Sequence, residues 1–309
     1  MCKDCGCGLP GETPIGITGE GHSHPHSHDH THDHDHEHDH DHPHTHSHAH
    51  SHGGTSHSHP HSHGGNAEDH HHDHDHDDAT SQDQHRTIEI RRSILEKNDR
   101  LAERNRGFFR ARGLVVLNVL SSPGSGKTTF LRETVKALGD RLKCGIIVGD
   151  LATDNDARRL RESGAPVVQI TTGTVCHLEA EMVGRALGQM DLGGLDLLII
   201  ENVGNLVCPA SYDLGEDFRV VLLSVTEGED KPLKYPPMFN AADAVIISKI
   251  DLAEPCGFER EAALANIRKV SPKAKIFELS AKTGVGMAAW CDHLVEAREG
   301  RTNEDPFLT

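Results

Sequence analysis

The chain has 309 residues and a formal net charge of −17, but 12 acids and no base fall within residues 21–78, so the remainder carries only five net negative charges. That remainder shows no basic stripe of the kind that follows a phosphate backbone, which argues against a nucleic-acid partner. No apolar run approaches the ~20 residues needed to span a bilayer. The opening "MCKDCGCGLP" has no apolar core like that of a signal peptide. A cytoplasmic location is expected, and there cysteines serve as thiols or metal ligands rather than disulfides.

"CKDCGC" places Cys2, Cys5 and Cys7 within six residues. Thiolates are soft ligands for zinc, copper(I) or nickel, and a short loop can bring three of them to one ion. Residues 1–7 are read as a metal motif. Next comes a low-complexity segment with 25 of the 28 histidines between His22 and His76. Residues 21–78 contain no Lys, Arg, Phe, Trp, Tyr, Val, Ile, Leu, Met or Cys. Such a stretch buries too little apolar surface to offset the entropy of ordering, so 8–85 is expected to be disordered.

From Arg86 onward the composition is that of one ordinary domain, 86–309. "RTIEIRRSILEKNDRLAERNRGFFRARG" (86–113) predicts a leading helix with Ile94, Leu101 and Phe108 on one stripe, widened by Leu95 and Ala102. Apolar runs at 114–120, 144–150, 165–171, 195–202, 217–225, 243–249 and 274–280 predict strands. Several are continuous rather than alternating, as strands covered on both faces are. Helices are predicted between them at 127–138, 177–189, 258–270 and 286–298. The fold class is therefore α/β, a mostly parallel sheet with helices on both faces.

"SSPGSGKTT" (121–129) lies between the first of these strands and its helix. Gly124 and Gly126 let the backbone curl so that its N–H groups, with those of Ser125 and Thr129, face an anion. Lys127 reaches the β/γ-phosphates, Thr128 offers a hydroxyl to Mg²⁺, and the helix N-terminus adds its dipole. Ser121 stands where the usual first glycine of this phosphate loop would be. "SKID" supplies Lys249 to lie along a base and Asp251 to accept from guanine's ring N–H and exocyclic amine. Adenine would set a lone pair against that carboxylate. Ser248 replaces the commoner asparagine. "SAK" (Ser280, Ala281, Lys282) suits the loop that meets guanine's carbonyl. Asp150 and Glu201, each ending a strand, are expected to hold Mg²⁺ or its waters. No arginine finger or water-orienting glutamine is evident, so hydrolysis should be slow.

Cys176 and His177 are adjacent before a predicted helix, and Cys208 follows "ENVGNLV". Both loops follow strands, so the three can converge at one sheet edge. Spacing alone fits equally a buried thiol beside a helix-capping histidine. Cys144, Cys256 and Cys291 receive no role.

Taken together, "SSPGSGKTT", "GDLATDNDARR", "TGTVCHLEAEMV", "ENVGNLVCPASYDLGE", "VTEGEDKPLKYPPMF" and "SKIDL" closely resemble the HypB family. The resemblance spans essentially 110–285, plus "CKDCGC" and a histidine-rich insertion present in some members. It implies a GTPase of the SIMIBI class that dimerises around GTP, works with a HypA-type nickel chaperone, and delivers nickel to the [NiFe]-hydrogenase large subunit. It further implies a nickel site at Cys2, Cys5 and Cys7, and a nickel or zinc site at Cys176, His177 and Cys208.

The histidines then read as a nickel store. Alternate imidazoles sit ~6.6 Å apart on an extended chain. With ordinary pKa values of ~6.5 most are neutral and able to bind metal at cytoplasmic pH. Two other functions fit the same residues: a nickel or zinc buffering protein with a vestigial GTPase, and a urease-type GTPase chaperone. The Cys2/Cys5/Cys7 cluster and the Cys176–His177 pair favour the hydrogenase branch.

Overall fold

The computed structural model describes residues 45–52, 55–62, 77–151 and 154–304. These divide between two units that adjoin in sequence at Gln82 and Asp83. Most of the histidine-rich segment, with Cys2, Cys5 and Cys7, lies outside the described residues. Within that segment β1 (Thr45–His52) and β2 (Thr55–Ser62) pair antiparallel, with His46 opposite His61, His48 opposite His59 and His50 opposite His57.

The second unit is built on a seven-stranded parallel sheet. Its strands are β3 (Val115–Ser121), β4 (Cys144–Asp150), β5 (Val167–Thr171), β6 (Leu197–Glu201), β7 (Phe218–Ser224), β8 (Ala244–Ser248) and β9 (Lys275–Leu279), in the order β5-β4-β6-β3-β7-β8-β9. All seven predicted strands are present. β3, β4 and β6 are apolar on both faces because both are covered. Val115, Leu117 and Val119 point to the side of α2 (Lys127–Leu138) and α8 (Met287–Glu304), where Phe130 and Trp290 pack. Leu114, Val116, Ile147 and Ile200 face the opposite side, against α4 (Ala180–Leu187) and Phe109 of α1 (Asp77–Ala111). Val221, Leu223, Val245 and Ile247 continue that side beneath α6 (Pro236–Asn240) and α7 (Arg260–Val270). Two further short helices, α3 (Asn155–Arg161) and α5 (Lys231–Lys234), complete the fold.

The leading helix departs from its expected boundaries and face. It begins at Asp77 rather than Arg86 and stops at Ala111, where Gly113 turns the chain at φ 64°. The buried line is Asn98, Ala102, Asn105 and Phe109, whereas Phe108 is 38% exposed. Two asparagines are buried because they satisfy loop backbone. Asn98 Nδ2 donates to Asp213 O at 2.8 Å and Asn98 Oδ1 accepts from Ala180 N at 2.9 Å. Asn105 Nδ2 donates to the carbonyls of Ala180 and Leu214. A hydrophobic stripe search passes over such positions, since an unmet buried amide would be destabilising and only its partners make burial acceptable.

Candidate functional site

β3 and α2 sit at the centre of the sheet, where strand order departs to both sides. The loop between them therefore opens at the carboxyl edge, the place where α/β sheets bind ligands. Gly124 and Gly126 hold φ of 75° and 97°. At Gly126 it is this left-handed backbone, rather than crowding, that calls for glycine. Pro123, Gly124, Gly126, Lys127, Thr128, Thr129, Asp150 and Glu201 line a cleft of about 580 Å³.

Ser121, in the place of the usual first glycine, is fully buried. Its hydroxyl accepts from Lys127 Nζ at 2.9 Å and from Ser125 Oγ, and donates to Ser122 O. Ser125 thus turns its side chain under the loop and is itself buried, not among the residues that line the cleft. Burial holds the Lys127 ammonium below its ordinary pKa, against the opposing pull of Glu201, Asp156 and other acids.

Glu201 ends β6 beneath this loop. Its Oε1 accepts from Thr128 Oγ1 at 2.9 Å, and its Oε2 is buried with no hydrogen-bond partner. Burial raises the Glu201 pKa to about 7, outweighing Lys127 and Thr128. A buried carboxylate oxygen left free beside a threonine hydroxyl fits a hard divalent cation such as Mg²⁺. Asp150 ends β4 on the same cleft, its Oδ1 accepting from Leu151 N.

The loops expected to read the base also converge. Ser280 Oγ donates to Asp251 Oδ1 at 2.6 Å, which fixes the carboxylate from the last strand's loop. Ser248 donates to Ser125 O at 3.1 Å and Lys249 Nζ to Gly124 O at 2.7 Å. The serine that replaces asparagine therefore still ties this loop to the phosphate loop. Ala281 packs on the core and Lys282 is exposed.

The structure brings Cys176, His177 and Cys208 together. One ligand atom from each lies within 4.8 Å of the others. His177 is fully buried and stacks on Tyr212 at a centroid distance of 3.8 Å, yet neither ring nitrogen has a hydrogen-bond partner. Burial opposes charge here, but Cys208 and His177 outweigh it and hold the Cys176 thiol below its ordinary pKa. Burial likewise opposes the Glu179 and Cys176 contacts that hold His177 above its own. Two thiols, one with a lowered pKa, and a buried imidazole 3.6 Å from the Glu179 carboxylate form a donor set suited to nickel or zinc.

Several residues at these sites lie in the family strings but are given no role by the sequence. Asp156 and Arg159 of α3 line the nucleotide cleft. Tyr212 and Glu179 frame His177. They lie in the strings "NDARR", "CHLE" and "SYDLGE", which carry no chemistry until the fold places them.

Residues 115–278, more than half of the chain, match the family described as CobW/HypB/UreG, nucleotide-binding domain. The chain is 52% identical over 220 residues to the hydrogenase maturation factor HypB of Azotobacter chroococcum mcd 1, covering 71% of this chain and 72% of that protein. It is 50% identical over 220 residues to that of Escherichia coli (strain K12), covering 71% and 76%. Among solved structures, HypB from Helicobacter pylori in complex with nickel superposes with a TM-score of 0.64 at 47% identity, covering 66% of this chain and 96% of that one. HypB from Archaeoglobus fulgidus gives 0.62 at 42%, covering 66% and 99%. The cleft at the head of α2 thus lies in a P-loop nucleotide-binding domain, and the chain belongs to the HypB family of hydrogenase maturation factors.

Proposed function

We propose that this chain is a nickel metallochaperone that binds and hydrolyses GTP to drive nickel insertion into a [NiFe]-hydrogenase large subunit. One observation carries the reading: a thiol–imidazole–thiol cluster, its imidazole buried and its two cysteines half-buried, whose Cys208 follows Glu201 by seven residues. Glu201 touches Thr128, so the segment 201–208 runs from the cation end of the nucleotide cleft to a metal ligand. In this reading Lys127 and the backbone of 124–129 hold the phosphates. Thr128, Asp150 and Glu201 hold Mg²⁺, which supplies charge neutralisation at the β- and γ-phosphates. Asp251, Lys249 and the 280–282 loop select guanine. Nickel is the cargo at Cys176, His177 and Cys208, where zinc also fits, and at Cys2, Cys5 and Cys7. The histidine-rich segment stores further nickel. The chain works in the cytoplasm as a GTP-promoted homodimer with a HypA-type partner.

The relative from Helicobacter pylori carries the name hydrogenase/urease maturation factor, at 47% identity over 215 residues. The test therefore reads both acceptors. In a strain lacking this chain and starved of nickel, wild type should restore hydrogenase activity. Lys127→Ala should not, and deletion of 22–76 should restore it only when nickel is added. Restoration by Lys127→Ala, or restoration of urease alone, contradicts the reading.

A further inference from the structure

Resting on that reading, we infer that Asn202 is the positioning residue through which the nucleotide site sets the geometry of the Cys176–His177–Cys208 metal site. Asn202 follows Glu201 and is buried. Its Oδ1 accepts two backbone bonds, from Val203 N at 2.9 Å and from Leu178 N at 3.1 Å. Leu178 is the neighbour of His177. Val203 and Gly204 line the nucleotide cleft, and a side chain at Gly204 would sit 3.1 Å from Pro123 Cα of the phosphate loop. One amide oxygen therefore joins the cleft wall to the loop that carries two of the three metal ligands.

The other end of the same amide reaches the third ligand. Asn202 Nδ2 donates to Asn118 Oδ1 at 3.2 Å, and Asn118 Nδ2 donates to Glu216 Oε1 at 3.1 Å. Glu216 Oε1 also accepts from Arg219 Nε at 2.6 Å, while its Oε2 accepts from Leu214 N at 2.7 Å. Arg219 in turn donates to the carbonyls of Ala210 and Tyr212 at 3.0 and 3.2 Å. Those carbonyls belong to the turn that begins at Cys208 and to the tyrosine stacked on His177. Asn118 and Asn202 are essentially inaccessible and Glu216 is buried. Such a line has few ways to absorb a displacement other than passing it on, because a buried polar group that loses one partner must find another. Movement of 203–204 on loss of the γ-phosphate thus reaches both arms of the metal site through one side chain.

The test uses the full-length chain carrying Cys2→Ser, Cys5→Ser and Cys7→Ser, so that sulfur-to-nickel charge-transfer absorption reports the 176/177/208 site and the histidines do not contribute. A chelator buffer sets free nickel. The band's half-point is read with GDP and with a non-hydrolysable GTP analogue, in the parent, Asn202→Ala and Glu216→Gln. The parent half-points should differ by tenfold or more between nucleotides. In both variants that difference should fall below threefold, with GDP affinity within threefold of the parent. Glu216→Gln keeps the volume and carries the test if Asn202→Ala does not fold. A parent-sized difference in the folded variants overturns the inference alone. A parent with no sulfur band, or with no nucleotide difference, overturns both it and the chaperone reading.

Discussion

Thr128 at the head of α2 donates its hydroxyl to Glu201 at the end of β6, 2.9 Å away. The bond spans two neighbouring strands, since β3 pairs with β6 directly. It sets one carboxylate oxygen on the phosphate loop and leaves the other free for a cation. Glu201→Gln keeps the shape and the bond to Thr128 but removes the charge. Single-turnover GTP hydrolysis should fall on the order of a hundredfold, the scale of removing one preorganised polar group from a catalytic site. GDP affinity without Mg²⁺ should change little. Unchanged turnover would remove Glu201 from the cation site.

Asp251→Asn should exchange the base read by the site. In the proposed site the carboxylate would accept two N–H bonds from guanine; the amide would meet one of those donors with a donor of its own. GTP affinity should fall by about 100-fold or more, as for sites whose buried polar groups lose their match. Xanthosine triphosphate, with a carbonyl in place of the amine, should gain. Competition binding of the two nucleotides reads both numbers.

Gly215 tests how α1 is held. Its φ is 90°, and an added Cβ would lie 2.5 Å from Ala102 O and 2.8 Å from Arg106 N. Gly215→Ala must therefore push the helix away from the 213–215 turn, where Arg106 holds Asp213 with two bonds at 2.8 and 2.7 Å. Backbone strain and lost packing together should destabilise the domain by about 3 kcal/mol in urea unfolding. A loss under about 0.5 kcal/mol would show that α1 docks loosely.

His293 gives the domain a pH dependence with a definite sign. Burial between Phe277 and Trp290, and then the Lys275 ammonium, push its pKa below the ordinary histidine value. The neutral ring lies 3.3 Å from Lys275 through Nδ1. Protons thus bind the unfolded chain more readily. The His293 contribution is fully present above pH ~6.5 and is lost as pH falls below it. His293→Phe should flatten the stability profile between about pH 6.5 and 5 in denaturant titrations; an unchanged slope would contradict this account.

Much of this was legible beforehand because its signal is local. Continuous apolar runs announced covered strands, and "SSPGSGKTT" announced a glycine-turned loop between β3 and α2 where one lies. The boundary of α2, Lys127–Leu138, follows from the loop's own glycine and Gly139. What stayed hidden depends on contacts far apart in sequence. Asn98 and Asn105 look like surface residues until the turns they satisfy are placed. Cys176–His177 and Cys208 are 31 positions apart, and spacing could not choose between packing and metal. Asn202 is hidden most completely, since its place in "ENVGNLV" assigns it no role and it gains meaning only from Leu178, Asn118 and Val203 around it.

The central claim is that loss of the γ-phosphate changes how Cys176, His177 and Cys208 hold nickel. It is tested most directly by nickel affinity of the Cys176–His177–Cys208 site, read through sulfur absorption, with GDP and with a non-hydrolysable GTP analogue bound. The account predicts affinities that differ at least tenfold, about 1.4 kcal/mol of coupling. Equal affinities in the two nucleotide states would contradict it.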